Sequence, residues 1–122
     1  MTINATQRVL LVEDEPGIAE LVSQMLQDLS CQVVATASSL DEAVTLAGTS
    51  DIDLAILDVR LQGQPSEPVA RVLQGRGIPF IFATGYRISE IEREFEAVPT
   101  LSKPFRSVDL AHAITLVLDR RS

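Results

Sequence analysis

The chain has 122 residues, a formal net charge of −7 at pH 7, and is 46% hydrophobic and 22% charged, which suits one folded domain and is too apolar for intrinsic disorder. A single cysteine, Cys31, excludes an internal disulfide framework and a multi-cysteine zinc site, and a single histidine, His112, argues against a histidine metal centre or a Ser-His-Asp triad. The acidic balance argues against nucleic acid as a direct ligand, because phosphate contacts need clustered Lys and Arg.

Short apolar runs alternate with segments of helical periodicity along the whole chain. The predicted strands are 8–12, 32–36, 54–58, 79–83 and 98–102. A helix is predicted after each strand: four of them start near Pro16, Ser39, Ser89 and Ser107, and the helix after the third strand carries Val69, Val72 and Leu73. Ser39 with Glu42, and Ser89 with Glu92, have the spacing of a capping box.

This alternation predicts an α/β fold with a parallel sheet covered by helices on both faces. The third strand is apolar on both faces, which is typical of a buried parallel strand. Pro99 favours an edge position for the fifth strand. There is no linker, repeat or low-complexity segment, so we expect a single domain over 1–122, with a core of about 7–120 and no effector domain.

The N-terminal residues 1–8 are polar, and no apolar run approaches the roughly 18 residues of a membrane span. We therefore expect no signal peptide, no membrane partner and a cytoplasmic location. Cys31 is interpreted as a small residue that fills a buried or half-buried position, and His112 as a solvated helix residue.

Chemistry-bearing side chains follow the carboxyl ends of four predicted strands, where doubly wound sheets bind their ligands. They are Glu13 and Asp14 after the first strand, Asp58 at the end of the third, Thr84 after the fourth and Lys103 after the fifth. An all-oxygen carboxylate cluster indicates Mg²⁺, which needs no His or Cys ligand. With its charge screened, Asp58 can attack a phosphorus atom as a carboxylate nucleophile, and Lys103 and Thr84 can stabilise the phosphoryl oxygens.

Four segments, 11–15, 56–58, 83–85 and 103–105, have sequences that together resemble the receiver domain of two-component response regulators. The resemblance implies a flavodoxin-like, doubly wound (βα)₅ fold with a sheet of order 2-1-3-4-5. It implies that Asp58 is the phosphoacceptor, Asp14 a direct Mg²⁺ ligand, Glu13 a ligand through water, and the Arg60 backbone carbonyl the remaining protein ligand. It also implies a cis peptide bond between Lys103 and Pro104.

The partners implied by this family are a sensor histidine kinase or a histidine phosphotransfer protein, and an unknown protein target. A receiver catalyses only its own phosphorylation and dephosphorylation. Residues 82–86 read Phe-Ala-Thr-Gly-Tyr, which resembles a stand-alone receiver subgroup associated with kinases of the HWE type. The output is then either a diffusible switch or a phosphorelay shuttle or sink.

The chain departs from the usual receiver pattern at two places. The Met-Pro pair that typically follows the phosphoacceptor is absent, and residues 60–65 read Arg-Leu-Gln-Gly-Gln-Pro instead. Thr100 occupies the switch position where receivers usually carry an aromatic residue. Tyr86 either replaces that aromatic switch next to Thr84 or only anchors its loop.

Three other functions are weighed against phosphoacceptance. A degenerate receiver that only docks proteins would not need the intact set of acidic residues, Thr84 and Lys103. A haloacid-dehalogenase-like phosphatase requires a second aspartate two residues after its nucleophile, and that position is Arg60. An FMN-binding flavodoxin would need a phosphate loop after the first strand, where Glu13 and Asp14 would repel a phosphate.

Overall fold

The computed structural model describes residues 6–85, 91 and 93–121. The strands are β1 Gln7–Val12, β2 Cys31–Ala37, β3 Leu54–Asp58, β4 Arg60–Leu61, β5 Gln64–Pro65, β6 Phe80–Thr84 and β7 Thr100–Ser102. The α-helices are α1 Pro16–Asp28, α2 Leu40–Thr49, α3 Glu67–Gly75 and α4 Ser107–Arg121. A short 3₁₀ turn, Arg93–Phe95, precedes β7.

All strands except β4 and β5 form one parallel sheet, in the order β2-β1-β3-β6-β7. This is the predicted 2-1-3-4-5 order once the separate two-stranded hairpin β4–β5 is set aside. The strand order reverses between β1 and β3, so the carboxyl ends of these two strands open the crevice in which such folds bind ligands. β7 lies at an edge, as the sequence predicted.

Both faces of the sheet are buried, and β3 shows this residue by residue. Leu54 and Ile56 pack into the core on the side of α1 and α4, whereas Ala55 and Leu57 pack into the core on the side of α2 and α3. All five β3 residues are buried, including its last residue, Asp58. The sheet therefore carries a charged side chain at the end of its most buried strand.

An aromatic cluster closes the core beneath the 3₁₀ turn. Phe95 is 2% exposed, and its ring meets those of Phe80 and Phe82 edge-on, with centroids 6.0 and 6.2 Å apart. Phe95 therefore belongs to the hydrophobic core. The start of the predicted fourth helix, at Ser89 and Glu92, lies outside the described residues.

Two local predictions about caps and loops have different outcomes. The Glu42 N–H donates to the Ser39 Oγ at 3.3 Å, which confirms the N-cap of α2, although the Glu42 carboxylate accepts from the Ser38 N–H rather than from Ser39. No strand was predicted directly after β3, but residues 60–65 form the hairpin β4–β5. Gln62 and Gly63 make its turn with positive φ angles of 51° and 81°. Within the described residues, no helix is long and apolar enough to cross a membrane.

Candidate functional site

An acidic cluster lies at the carboxyl ends of β1 and β3. These strands are parallel neighbours, and Val12 pairs with Leu57, so the residues that follow them meet at one edge of the sheet. Glu13, Asp14 and Asp58 each offer a carboxylate oxygen, and these atoms all lie within 4.8 Å of one another. Glu13 is only 4% exposed and Asp58 5% exposed, so two of the three carboxylates are buried.

Lys103 brings a positive charge into the same cluster. It follows β7, and its backbone N–H donates to the Thr84 carbonyl at 2.9 Å, which ties the loop to the end of β6. Its Nζ donates to Asp58 Oδ2 at 2.9 Å and to Glu13 Oε1. The Lys103-Pro104 peptide bond is cis, as the family resemblance implied.

Burial and hydrogen bonding act in opposite directions on the charged groups of the pocket. Burial raises the pKa of Glu13, although hydrogen bonds from Lys103 and from the Glu15 N–H act in the opposite direction. Burial alone would lower the pKa of Lys103, but its hydrogen bonds to Glu13 and Asp58 outweigh that effect and raise it. Lys103 therefore stays charged, and one ammonium faces three carboxylates.

The donor set fits a hard divalent cation. All three acidic residues offer oxygen, and no His or Cys belongs to the group found among the described residues. Mg²⁺ prefers oxygen ligands and keeps several waters, so a pocket of two buried carboxylates and one half-buried carboxylate suits it. The structure thus brings together the acidic residues that the sequence predicted for this ion.

The sequence also predicted site roles for Thr84, Arg60, Thr100 and Tyr86, and the structure describes the first three. Thr84 is the last residue of β6 and is fully buried, one position beyond the Ala83 that pairs with Asp58. The Arg60 N–H points to Asp58 Oδ1 at 3.4 Å, whereas the ligand role of the Arg60 carbonyl stays a prediction. Thr100 is half-buried and its hydroxyl donates to the Val98 carbonyl at 3.2 Å. Tyr86 lies outside the described residues.

One contact in the pocket was missed at the level of sequence. The backbone N–H of Gln62, at the tip of the β4–β5 hairpin, donates to Asp14 Oδ2 at 2.7 Å. A Gln-Gly pair four residues after Asp58 is a turn signal that could have located the tip, but nothing in it indicates that the tip reaches a residue 48 positions earlier. The other two predictions outside the site hold: Cys31 is a buried free cysteine, and His112 is exposed.

A five-stranded doubly wound sheet with an acidic pocket and a lysine at its carboxyl edge has the architecture of a phosphorelay signalling domain. Residues 9–115 match the family described as the response regulator receiver domain, and the chain belongs to this family. Receiver domains are signalling modules rather than metabolic enzymes, bind Mg²⁺ at an acidic pocket and are phosphorylated by histidine kinases.

Known proteins similar to this chain include both full-length regulators and isolated receivers. PdtaR, a transcriptional regulatory protein of Mycobacterium tuberculosis, is 32% identical over 118 residues, which cover 93% of this chain and 58% of PdtaR. This chain therefore spans little more than half the length of that relative.

Two solved structures of SdrG match at 38% identity, each covering 95% of this chain and 99% of the other. The solution structure of SdrG from Sphingomonas melonis Fr1 gives a TM-score of 0.85. The BeF₃-activated conformation, from Pseudomonas melonis Fr1, gives a TM-score of 0.78. The chain is thus similar along almost its whole length to a protein whose activated form has been solved.

Proposed function

We propose that this chain accepts a phosphoryl group on Asp58 from a sensor histidine kinase or a histidine phosphotransfer protein, and signals through protein contacts. The observation that carries the proposal is the position of Asp58. It ends the central, fully buried strand, lies within 4.8 Å of two further carboxylates, and accepts a hydrogen bond from Lys103. A carboxylate used only for solubility would not be buried at this point.

The cation that this pocket fits is Mg²⁺. Asp14, Asp58 and the Arg60 carbonyl would hold it directly, and Glu13 through water. Bound there, Mg²⁺ supplies positive charge that screens the carboxylates and stabilises the phosphoryl oxygens. This assignment is supported by three carboxyl groups within 4.8 Å of one another, two of which are paired with Lys103.

In the proposed transfer, an Asp58 carboxylate oxygen attacks the phosphorus of a phosphohistidine. The new O–P bond forms as the P–N bond breaks, and the imidazole nitrogen keeps the electron pair and takes up a proton. Lys103 already lies 2.9 Å from Asp58 Oδ2, close enough to move onto a phosphoryl oxygen. Thr84, on the neighbouring strand, offers a hydroxyl to the same group.

The signal would then leave through the segment that follows Thr84. Thr100 has no ring that could swing inward, so the usual coupling of threonine and aromatic residue is not available. We propose that movement of Thr84 is passed to residues 85–96, with Tyr86 as the candidate carrier. The likeness to SdrG, which has a BeF₃-activated conformation, supports a conformational response of this kind.

The kinase proposed for this chain is of the HWE type, on the strength of the Phe-Ala-Thr-Gly-Tyr segment at 82–86. The output is either a diffusible switch or a phosphorelay shuttle or sink. Phosphotransfer profiling separates the shuttle from the other two outputs, since only a shuttle passes its phosphoryl group on to a further histidine.

The test of phosphoacceptance compares Asp58→Asn with Asp28→Asn, which changes an exposed aspartate in α1. Both variants and the unaltered protein are incubated with labelled acetyl phosphate and Mg²⁺. We expect hydroxylamine-labile label in the unaltered protein and in Asp28→Asn, and none in Asp58→Asn. Equal labelling of all three proteins would remove Asp58 as the nucleophile, and no labelling of any would favour a receiver that only docks proteins.

A further inference from the structure

The β4–β5 hairpin, residues 60–65, extends from the end of β3 along the acidic pocket. It occupies the place where receivers typically carry a Met-Pro pair after the phosphoacceptor. The backbone conformation at its tip is unusual, because Gln62 and Gly63 both have positive φ angles, 51° and 81°. A non-glycine residue in the left-handed region is uncommon and is held there by its surroundings.

The left-handed conformation at the tip has a specific consequence. It directs the Gln62 N–H at Asp14 Oδ2, and the donor and acceptor are 2.7 Å apart. The same hairpin places the Arg60 N–H 3.4 Å from Asp58 Oδ1. Backbone groups of one short hairpin thus contact two of the three carboxylates in the cluster.

The hairpin is fastened at its tip and at its base. The Arg60 guanidinium donates to the Gly63 carbonyl at 2.6 Å, which closes the turn on itself. At the base, the buried Ser66 donates to the Val59 carbonyl from both its backbone N–H, at 2.8 Å, and its hydroxyl, at 2.9 Å. Leu61 is fully buried in the core. These anchors fix the position of the Gln62 N–H relative to the sheet.

We infer that the hairpin is a positioning element that orients the Asp14 carboxylate for Mg²⁺ through the Gln62 N–H, with Arg60 and Gly63 holding the tip. This inference rests on the proposed function. A carboxylate beside two others tends to rotate away from like charge, and a donor fixed on one of its oxygens prevents that. Partners that orient metal ligands in this way strongly affect affinity.

The test uses the metal-free protein and the Mg²⁺ titration of its backbone NMR spectrum. Arg60→Ala removes the closure of the turn but keeps the Arg60 backbone carbonyl. The matched control is Arg76→Ala, which removes a guanidinium that also donates to backbone carbonyls, those of Ala47 and Ser50, at 2.7 and 3.0 Å. For Arg60→Ala we expect faster hydrogen exchange at the Gln62 amide and roughly tenfold weaker Mg²⁺ binding. Arg76→Ala should leave both unchanged.

A second pair of variants guards against a general loss of structure. Gly63→Ala introduces strain at a φ of 81° without a steric clash, and Gly75→Ala adds the same methyl group where the backbone is unstrained and the space is open. Only Gly63→Ala should weaken Mg²⁺ binding. The inference is overturned if the Gln62 amide exchanges faster but Mg²⁺ affinity does not fall. It is also overturned if the Gln62 amide stays protected from exchange in both Arg60→Ala and Gly63→Ala. An unaltered protein that shows no response to Mg²⁺ overturns the proposed function and this inference with it.

Discussion

At the scale of single residues, the Lys103 ammonium holds the two buried carboxylates of the pocket together. It is 16% exposed and bridges Glu13 and Asp58, whose side chains are 4% and 7% exposed. Removing one partner from a buried ion pair leaves the other charge uncompensated, at a cost of about 3–5 kcal/mol. The lysine thus has a structural role beside the phosphoryl-binding role proposed for it.

Replacing Lys103 with methionine separates these two roles. In metal-free buffer we expect Lys103→Met to lower the free energy of unfolding by about 3 kcal/mol, measured with urea. Mg²⁺ affinity should be kept or improved, because a positive charge has left the pocket. Labelling by acetyl phosphate should fall sharply. Parallel losses of Mg²⁺ affinity and labelling would contradict the role assigned to Lys103.

Cys31 gives a prediction that depends on pH. Burial raises the pKa of its thiol above the ordinary value of 9.0, since the thiolate is poorly solvated in the core. Folding therefore disfavours the thiolate, and native protein should react with iodoacetamide more slowly than protein unfolded in urea. The rate should also begin to rise at a higher pH in the native protein. Equal rates with and without urea would show that the thiol is accessible.

At the scale of elements, Arg71 connects α3 to the 3₁₀ turn. Its guanidinium donates to Glu67 on its own helix and to Glu94 in the turn, with 2.9 Å between Nη1 and Glu94 Oε2. It also lies 5.8 Å from the centre of the Phe95 ring. These contacts fix the end of the segment that we propose to carry the signal.

Arg71→Ala is expected to loosen that segment more than it destabilises the protein. The side chain is about half exposed and its ion pairs are screened by solvent, so the loss of global stability should be small. Hydrogen exchange at residues 93–98 should increase several-fold. The matched control is Arg93→Ala, since Arg93 is 95% exposed and its ion pair with Glu96 is long, at 3.9 Å. Similar exchange in both variants would show that Arg71 does not hold the turn.

Elements with a strong pattern could be predicted from the sequence. The alternating runs located all five strands of the main sheet within about two residues, because buried parallel strands and amphipathic helices have different periods. The hairpin β4–β5 was missed because its strands have only two residues each, too few for any period to be seen. Its closure depends on Arg60 and on the left-handed Gln62, and the sequence specifies neither contact.

At the scale of the whole molecule, the sequence predicted which residues form the site but not the contacts between them. The rule that ligands bind at the carboxyl ends of parallel strands brought Glu13, Asp14, Asp58 and Lys103 together before any distance was known. That Lys103 bridges two carboxylates, and that a backbone N–H reaches Asp14, depends on packing between segments far apart in the chain. Side-chain chemistry alone does not encode such contacts.

Mg²⁺ binding should stabilise the folded protein as a whole. A ligand that binds only the folded state at ten times its dissociation constant adds about 1.4 kcal/mol, which for a domain of this size raises Tm by roughly 4–6 °C. Asp14→Asn should abolish the increase, and Asp28→Asn should retain it. The control is the Tm of the same proteins in NaCl at the same ionic strength. It is needed because salt also stabilises a chain of net charge −7 by screening its like charges. An identical increase with NaCl would mean that no Mg²⁺ site exists.

Direct mapping of the phosphoryl group tests the central claim most sharply. Protein incubated with acetyl phosphate and Mg²⁺ is reduced with borohydride, which converts an aspartyl phosphate to homoserine and leaves free aspartate unchanged. Peptide mass spectrometry then identifies the converted residue. We predict homoserine at position 58 and at no other aspartate. Conversion at Asp14 or at any other position, with Asp58 intact, would contradict the assignment of Asp58 as the phosphoacceptor.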